Sequence, residues 1–439
     1  MKELNVTFKK LIVEKLPVQV KKYMAALYIL LIKPSVVFAQ VVERFPKPDF
    51  QSDYTRPQLL SPEPRSQFLE YFDLFVLIAA LSLASYFALK LRSRTKMFFL
   101  MVFSLLYFGF FRKGCICPVG SVQNVSLALF NSAYTIPLTV IAFFALPLVF
   151  TLFFGRTFCA AVCPLGAIQD VVILKPTAVR PWIAQVLGVI PYMYLGLAVL
   201  FTSTGAGFVI CQYDPFIGFF RFGASFNMIA LGISLLILGT VVARPYCRFL
   251  CPYGVILNWL SRLSKWHVTI TPAECINCRL CEESCPFGAI NLPVDEKPVD
   301  RGKSIRHLAV LFILLPVIVA GSGWVFSRFS VPLSNQHFTV SLAEKIQAEN
   351  SGGISATTEE TDAFRASGKT VEELFTEALL IRRKFRTGGW ILGGFTGFIF
   401  CAKLIGLTIL RRRNDYTADT GNCFSCARCF SYCPVGKEV

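Results

Sequence analysis

The chain has 439 residues, of which 54% are hydrophobic and only 16% are charged, and its mean hydropathy is +0.56. This composition excludes a water-soluble protein, and the length excludes a single membrane span, so we predict a polytopic membrane protein. The formal net charge of +17 does not indicate nucleic-acid binding, because the basic residues stand at the ends of apolar runs.

Residues 1–43 are basic at first and then apolar, with an apolar stretch over Tyr23–Val42. Val37-Phe-Ala39 resembles a signal-peptide cleavage site. Lys33-Pro34 interrupts the apolar stretch, so we favour an uncleaved, imperfect first span. Residues 44–71 are proline-rich and polar, which predicts an outer loop.

Seven further apolar runs follow. They are Phe72–Leu91, Met97–Phe111, Tyr134–Phe154, Trp182–Thr202, Phe226–Val242, Leu308–Phe326 and Trp390–Leu410. With the first span they predict an all-α polytopic membrane protein of about eight transmembrane helices. Placing both termini in the cytoplasm puts nearly all basic clusters on the cytoplasmic side, which the positive-inside rule favours. We expect the bacterial cytoplasmic (inner) membrane.

The core contains an internal repeat with two C-x-x-x-C-P motifs. The sequences of Gly155–Gly166 and Ala243–Gly254 align without gaps, 88 positions apart. Four residues along a helix bring both sulfurs of a motif to one face, and the proline prevents simple continuation. Facing each other, the motifs would form an inner metal site of Cys159, Cys163, Cys247 and Cys251. The alternative is that these cysteines are small buried residues at helix contacts.

A second set of cysteines, Cys115, Cys117 and Cys211, precedes the two motifs. We expect it at the outer ends of the same spans, in two helix pairs of equal orientation. If the run Tyr134–Phe154 crosses straight, about 30 Å separates this outer set from the inner set. A fourth ligand is not evident, and neither Cys401 nor His337 is favoured.

Two further cysteine runs have the spacing of bacterial ferredoxins, in which three thiolates bind one cluster and the fourth binds its neighbour. A zinc site or disulfides are disfavoured, because zinc ligands usually come as two short pairs. The rule assigns one [4Fe-4S] cluster to Cys275, Cys278, Cys281 and Cys433, and the other to Cys423, Cys426, Cys429 and Cys285.

The ferredoxin-like module is therefore split in sequence and lies on the cytoplasmic side. The expected order is a transmembrane core (72–265), the first half-module (266–305), a span (306–327), an outer loop (328–389), the last span (390–410) and the second half-module (411–439). The loop motif Gly353-Ile-Ser355-Ala-Thr357-Thr358 faintly resembles a covalent flavin site but lacks one glycine. We favour a polar loop with some helix.

Several functions are excluded by what the sequence lacks. Its three histidines, His267, His307 and His337, cannot supply the facing pairs of a bis-histidine haem b. It has no P-loop, dinucleotide-binding glycine motif or obvious triad, so no catalytic residues are predicted.

The motifs quoted above resemble those of the membrane iron–sulfur family that includes NosR, NapH and PceC, over roughly residues 70–300 and the C-terminal tail. The resemblance implies an electron-transfer protein that links a cytoplasmic or membrane donor to a redox partner at the outer face. The long flavin-binding domain of NosR is missing here, so any flavin is expected on a partner. Cys115-Ile-Cys117 is an addition to the NapH pattern.

The leading hypothesis is an electron conduit of a respiratory chain, with two cytoplasmic-side clusters and one or two further centres in the membrane core. The outer centre is expected to be a [2Fe-2S] cluster. Expected partners are the lipid membrane and redox proteins on both faces, with a flavin- or haem-containing outer subunit as a candidate. Quinone is another candidate, with Asp170, Asp214 or Tyr213 handling protons. Asp170 and Asp214 stand at predicted span ends, where the commoner role of an aspartate is a helix cap. The alternative is an accessory protein that senses redox state or assists metallocentre maturation.

Overall fold

The computed structural model describes residues 66–114, 116–132, 134–174, 176–177, 179–270, 275–276, 278–293, 301–351, 357–408 and 415–434. The predicted first span, the cleavage-site candidate, Cys115 and most of the flavin-like motif lie outside these residues.

Every apolar run predicted after residue 71 is helical. Among the residues that the structure describes, five helices are long and apolar enough to cross a membrane: Gln67–Leu89, Arg94–Phe111, Trp182–Thr204, Ile305–Arg328 and Val371–Thr408. Leu138–Phe154 and Phe226–Val241 are shorter apolar helices. The all-α polytopic fold is thus confirmed for the described part of the chain, whereas the total of eight spans and their sidedness stay predictions.

Short helices fill the space between the long ones. They are Pro118–Phe130, Thr157–Ala161, Pro164–Val171, Pro181–Leu187, Val209–Gln212, Ile217–Arg221, Pro245–Phe249 and Pro252–Ser261. Several begin with proline, whose missing N–H costs nothing in the first turn of a helix. In both repeats an apolar helix ends, a one-turn helix follows, and the chain restarts at the Cys-Pro step. The broken backbone is buried within the protein, because the main hydrophobic core lies here.

The helix of the second described span changes from α-helical to π-helical hydrogen bonding shortly before the outer cysteines. Arg94–Ser104 is α-helical, and Leu105–Phe111 continues as a π-helix. A Cβ on Gly109 would lie only 2.9 Å from the Phe220 ring, so glycine permits the close packing. π-helical turns often occur at functional sites.

The two halves of the ferredoxin-like module fold together. Strand β1, Ile290–Asn291, pairs antiparallel with β2, Thr417–Ala418, and Ile290 lies opposite Ala418. The helices Leu280–Glu283 and Arg428–Tyr432 also pack against each other. The rings of Phe287 and Phe424 are 4.5 Å apart between centroids. Segments far apart in sequence therefore form one small unit.

The predicted outer loop is largely helical. It contains Ser330–Ser334, Phe338–Asn350, Glu359–Ala366 and the first half of Val371–Thr408. Seven residues form a separate small core, Val340, Leu342, Ala343, Ile346, Phe364, Leu374 and Ala378. With 38 residues, the last helix is about 57 Å long and exceeds a membrane core of about 30 Å. We call residues 330–389 the helical cap.

Candidate metal centres

The structure brings the four inner cysteines together. Cys163 and Cys251 are the N-cap residues of Pro164–Val171 and Pro252–Ser261. Burial raises the pKa of Cys163, and Cys247, Cys159 and Cys251 raise it further through their negative charges. The two motifs of the repeat therefore face each other, as their spacing predicts.

Hydrogen-bond donors surround these sulfurs. The Gly254 N–H and Gln169 Nε2 donate to Cys251 Sγ and Cys247 Sγ respectively, each at 3.3 Å. Helix N-termini add positive potential. Burial raises the pKa of the Cys247 thiol to about 12, and the guanidinium groups of Arg244 and Arg156 act in the opposite direction. Four cysteines with such donors have the chemistry of ligands to an iron–sulfur cluster.

Among the described residues, no three Cys, His, Asp or Glu side chains are close enough to hold a single metal ion. One zinc ion would require its sulfurs to converge at about 2.3 Å from the metal. A polynuclear iron–sulfur cluster spreads its cysteine ligands over several iron atoms.

Two buried arginines occupy equivalent positions of the repeat, Arg156 and Arg244, with 4% and 0% of their surface exposed. Arg156 Nη2 lies 3.9 Å from Cys159 Sγ, and its Nη1 donates to the Gly421 carbonyl at 3.1 Å. Its guanidinium stands 4.3 Å from the ring centroid of Phe424. Arg156 thus joins the inner cysteines to the ferredoxin-like module. Sequence reasoning treated both arginines as topology signals, although their matching positions could have revealed a shared role.

Asp170 is a buried carboxylate that forms ion pairs with three arginines. It pairs with Arg244 at 3.2 Å, with Arg428 at 3.4 Å and with Arg94. Burial would raise the pKa of Asp170, but the three arginines hold it well below its ordinary range. A carboxylate so strongly paired favours an electrostatic role over proton handling.

The outer cysteines have a related local structure. Cys117 is the N-cap of Pro118–Phe130 and accepts a hydrogen bond from the Gly120 N–H at 3.4 Å. A Cβ on Gly120 would lie 3.1 Å from Cys211 Sγ, so glycine lets that sulfur approach the helix. The Cys211 N–H donates to Gln123 Oε1 at 3.2 Å. Cys117 and Cys211 are thus brought together.

The expected separation of about 30 Å between the two sets is wrong. Cys117 and Cys163 line the same small cavity. Tyr246 joins both regions: its N–H donates to Gln169 Oε1 at 3.0 Å, and its hydroxyl donates to Asp214 Oδ2 at 3.5 Å. The reason is that Pro118–Phe130 packs against Leu138–Phe154, so the latter does not hold the sets apart.

Within the ferredoxin-like module, Cys285 interacts electrostatically with the second half. The negative charges of Cys426, Cys423 and Cys285 all raise the pKa of Cys429, after the larger effect of burial. Cys281 interacts instead with Cys275 and Cys278. This arrangement favours the crossed ligand sets, which stay a prediction.

The other two candidate ligands lie elsewhere. Cys401 is fully buried in Val371–Thr408, and His337 is the N-cap of Phe338–Asn350, where its Nδ1 accepts from the Thr339 N–H at 3.2 Å.

Comparison with known proteins supports the motif assignments. A family model described as a 4Fe-4S binding domain matches residues 135–183 and 224–271, one match for each repeat. Another 4Fe-4S binding domain model matches residues 268–291. No solved structure matches this chain.

Three similar proteins illustrate the range of relatives. The chain is 33% identical over 78 residues to "Putative electron transport protein YccM" of Escherichia coli, covering 18% of this chain and 21% of that one. It is 28% identical over 123 residues to protein NirI of Paracoccus denitrificans, covering 27% and 18%. It is 32% identical over 117 residues to the uncharacterized protein MJ0750 of Methanocaldococcus jannaschii, covering 26% and 46%. The matched segments thus span less than half of each relative.

Proposed function

Because this chain belongs to the membrane iron–sulfur electron-transfer proteins of the NosR/NapH type, we propose that it conducts electrons across the bacterial cytoplasmic membrane. The donor is a cytoplasmic protein or a membrane quinol, and the acceptor is a redox protein at the outer face. Both termini and the ferredoxin-like module lie in the cytoplasm in this proposal.

The contacts of Arg156 carry the proposal. One guanidinium reaches both the carbonyl of Gly421, two residues before Cys423, and the sulfur of Cys159. Asn258 Nδ2 also donates to the Gly421 carbonyl at 2.7 Å, and Ser261 donates to the Thr420 carbonyl at 2.6 Å. These contacts hold the ferredoxin-like module against the segment that carries the inner cysteines.

The proposed sites form a continuous series. The two quartets of the module would hold [4Fe-4S] clusters, the inner four cysteines would hold a third centre, and the outer set would hold a fourth, a [2Fe-2S] cluster. When bound, these groups supply one-electron redox chemistry. The chain itself supplies the docking contacts, the buried arginines and the side chain of Tyr246 between the inner and outer sets.

Electron transfer across a sealed vesicle tests the proposal. The purified protein is reconstituted anaerobically in liposomes that contain ferricyanide, and titanium(III) citrate is added outside. We expect the trapped ferricyanide to bleach much faster than in protein-free vesicles. Bleaching at the protein-free rate would contradict electron conduction.

Two cysteine variants make the test specific. Cys159→Ser removes one inner sulfur and should reduce the bleaching rate at least tenfold. Cys401→Ser is the matched control, because Cys401 is also fully buried but lies in the apolar helix Val371–Thr408. Equal bleaching rates for both variants would contradict a path through the inner set.

A further inference from the structure

An Asp-Pro step in the second repeat corresponds to a Cys-Pro step in the first. The first copy has Cys115-Ile-Cys117-Pro118, and the second has Cys211-Gln-Tyr-Asp214-Pro215. Wherever the core has Cys-Pro, at Cys117, Cys163 and Cys251, the cysteine caps a helix beside other thiols. Asp214 thus precedes a proline in the second copy, as Cys117 does in the first, although the helix that follows it is capped by Phe216.

The Asp214 carboxylate is buried, with 4% of the residue exposed, and it contacts Tyr246, which joins the inner and outer regions. Its negative charge acts on both Cys117 and Cys211. The carboxylate accepts hydrogen bonds from the N–H groups of Phe216, at 2.9 Å to Oδ1, and of Ile217, and the Tyr246 hydroxyl donates to Oδ2 at 3.5 Å. The buried carboxylates Asp73 and Asp170 each pair with arginine, whereas no ion pair of Asp214 occurs in the described part of the chain. A buried carboxylate without a cation is costly.

Gln123 gives an independent indication of a ligand. Gln123 and Gln169 both stand six residues after a helix-capping cysteine, and the Oε1 of each accepts a backbone N–H from the facing segment. Gln169 Nε2 donates to Cys247 Sγ. Gln123 Nε2 is fully buried and has no hydrogen-bond partner. Leaving a buried donor without an acceptor is costly, so an acceptor is expected at this position.

We propose that Asp214 is a carboxylate ligand of the outer iron–sulfur centre, together with Cys117 and Cys211, and that Gln123 Nε2 donates a hydrogen bond to that centre. This inference rests on the outer centre of the proposed function. It adds a third candidate ligand to the two outer cysteines that the structure describes. An oxygen donor is harder than a thiolate, so this centre should differ spectroscopically from one with cysteine ligands alone.

Asp214→Cys and Asp214→Asn test the assignment on the anaerobically purified full chain. Iron and acid-labile sulfide are counted, and each centre is followed by low-temperature EPR during a redox titration. Asp214→Cys should keep the iron count but change the EPR signal and lower the midpoint potential of one centre. Asp214→Asn should lose the iron of that centre. Asp73→Asn also removes a buried carboxylate, and it should leave the count and signals unchanged.

Three outcomes would overturn the inference. If Asp214→Cys leaves all signals and potentials as in the wild type, Asp214 is not a ligand, whatever the fate of Asp214→Asn. If Asp73→Asn produces the same loss as Asp214→Asn, the effect reflects folding. If the wild type lacks iron beyond the ferredoxin-like and inner sets, no outer centre exists. Electron transfer in the vesicle assay would survive the first outcome, so a wrong ligand is distinguishable from a wrong function.

Discussion

The carboxylate of Asp170 should be among the largest single contributors to the stability of this fold. Its partner Arg244 is completely buried, and replacing Asp170 by asparagine would leave that guanidinium without a counter-charge. Removing one partner of a buried ion pair costs about 3–5 kcal/mol. Arg94 and Arg428 keep 17% and 20% of their side chains exposed, so water can partly replace their lost partner.

We expect Asp170→Asn to lower the free energy of unfolding by about 3 kcal/mol, at the lower end of that range. Two carbonyls, those of Cys159 and Ala160, still accept hydrogen bonds from Arg244. The assay is denaturation in mixed detergent micelles, followed by tryptophan fluorescence. Hydrogen exchange of residues 415–434 is measured in parallel, because Arg428 connects this segment to Asp170.

The pH dependence follows from the lowered pKa of Asp170. A depressed folded pKa contributes stability that is complete above the unfolded value of about 3.9. That stability is lost only as the pH falls through the folded pKa. The difference between wild type and Asp170→Asn should therefore be constant from about pH 5 to 8.

Asp73→Asn is the matched control for Asp170→Asn. Asp73 is equally buried and pairs with Arg112 at 2.8 Å, but it lies in the span Gln67–Leu89, away from the module. This control should lose stability without faster exchange in residues 415–434. Two results would refute the idea that Asp170 stabilises the fold and holds residues 415–434 in place. One is a loss of less than about 1 kcal/mol in the free energy of unfolding of Asp170→Asn. The other is equal hydrogen exchange of residues 415–434 in both variants.

Further predictions concern the clusters themselves. Cys433→Ser should disturb the cluster assigned to Cys275, Cys278 and Cys281; an EPR change confined to the other ferredoxin-type cluster would show that the ligand sets are not crossed. Arg156→Gln removes a buried positive charge beside Cys159, so the inner centre should become harder to reduce, and an unchanged or higher midpoint potential in a redox titration would contradict this. Stripping the iron with an oxidant and chelator should separate β1 from β2 because metal binding and folding are linked; unchanged hydrogen exchange at Ile290 and Ala418 would disprove it.

The long apolar helices were predictable because hydrophobic length directly reflects the membrane. The pairing of Cys159 and Cys163 with Cys247 and Cys251 followed equally from the spacing of the repeat. The helix Pro118–Phe130 was not predicted. Thirteen residues span only about 20 Å, too little to distinguish it from a loop by hydropathy.

Missing that helix caused the error in the distance between the inner and outer cysteines. An apolar run gives the length of an element, but neighbouring elements decide which residues meet through space. For the same reason the ion pairs of Asp170 could not be predicted, because its partner Arg428 is 258 positions away in the sequence. The sequence predicted only some helix in the outer loop; the extent of the helical cap was not foreseen because its buried residues are few and are separated by charged ones.

The split module has a consequence for biosynthesis. Strand β2 and its cysteines emerge from the ribosome only after the helix Val371–Thr408 has been made, and with crossed ligands neither ferredoxin-type cluster has all its cysteines before that moment. Cluster delivery would then have to wait until the last membrane helix is synthesised. A chain interrupted earlier could complete neither cluster, so maturation would itself distinguish finished chains from truncated ones.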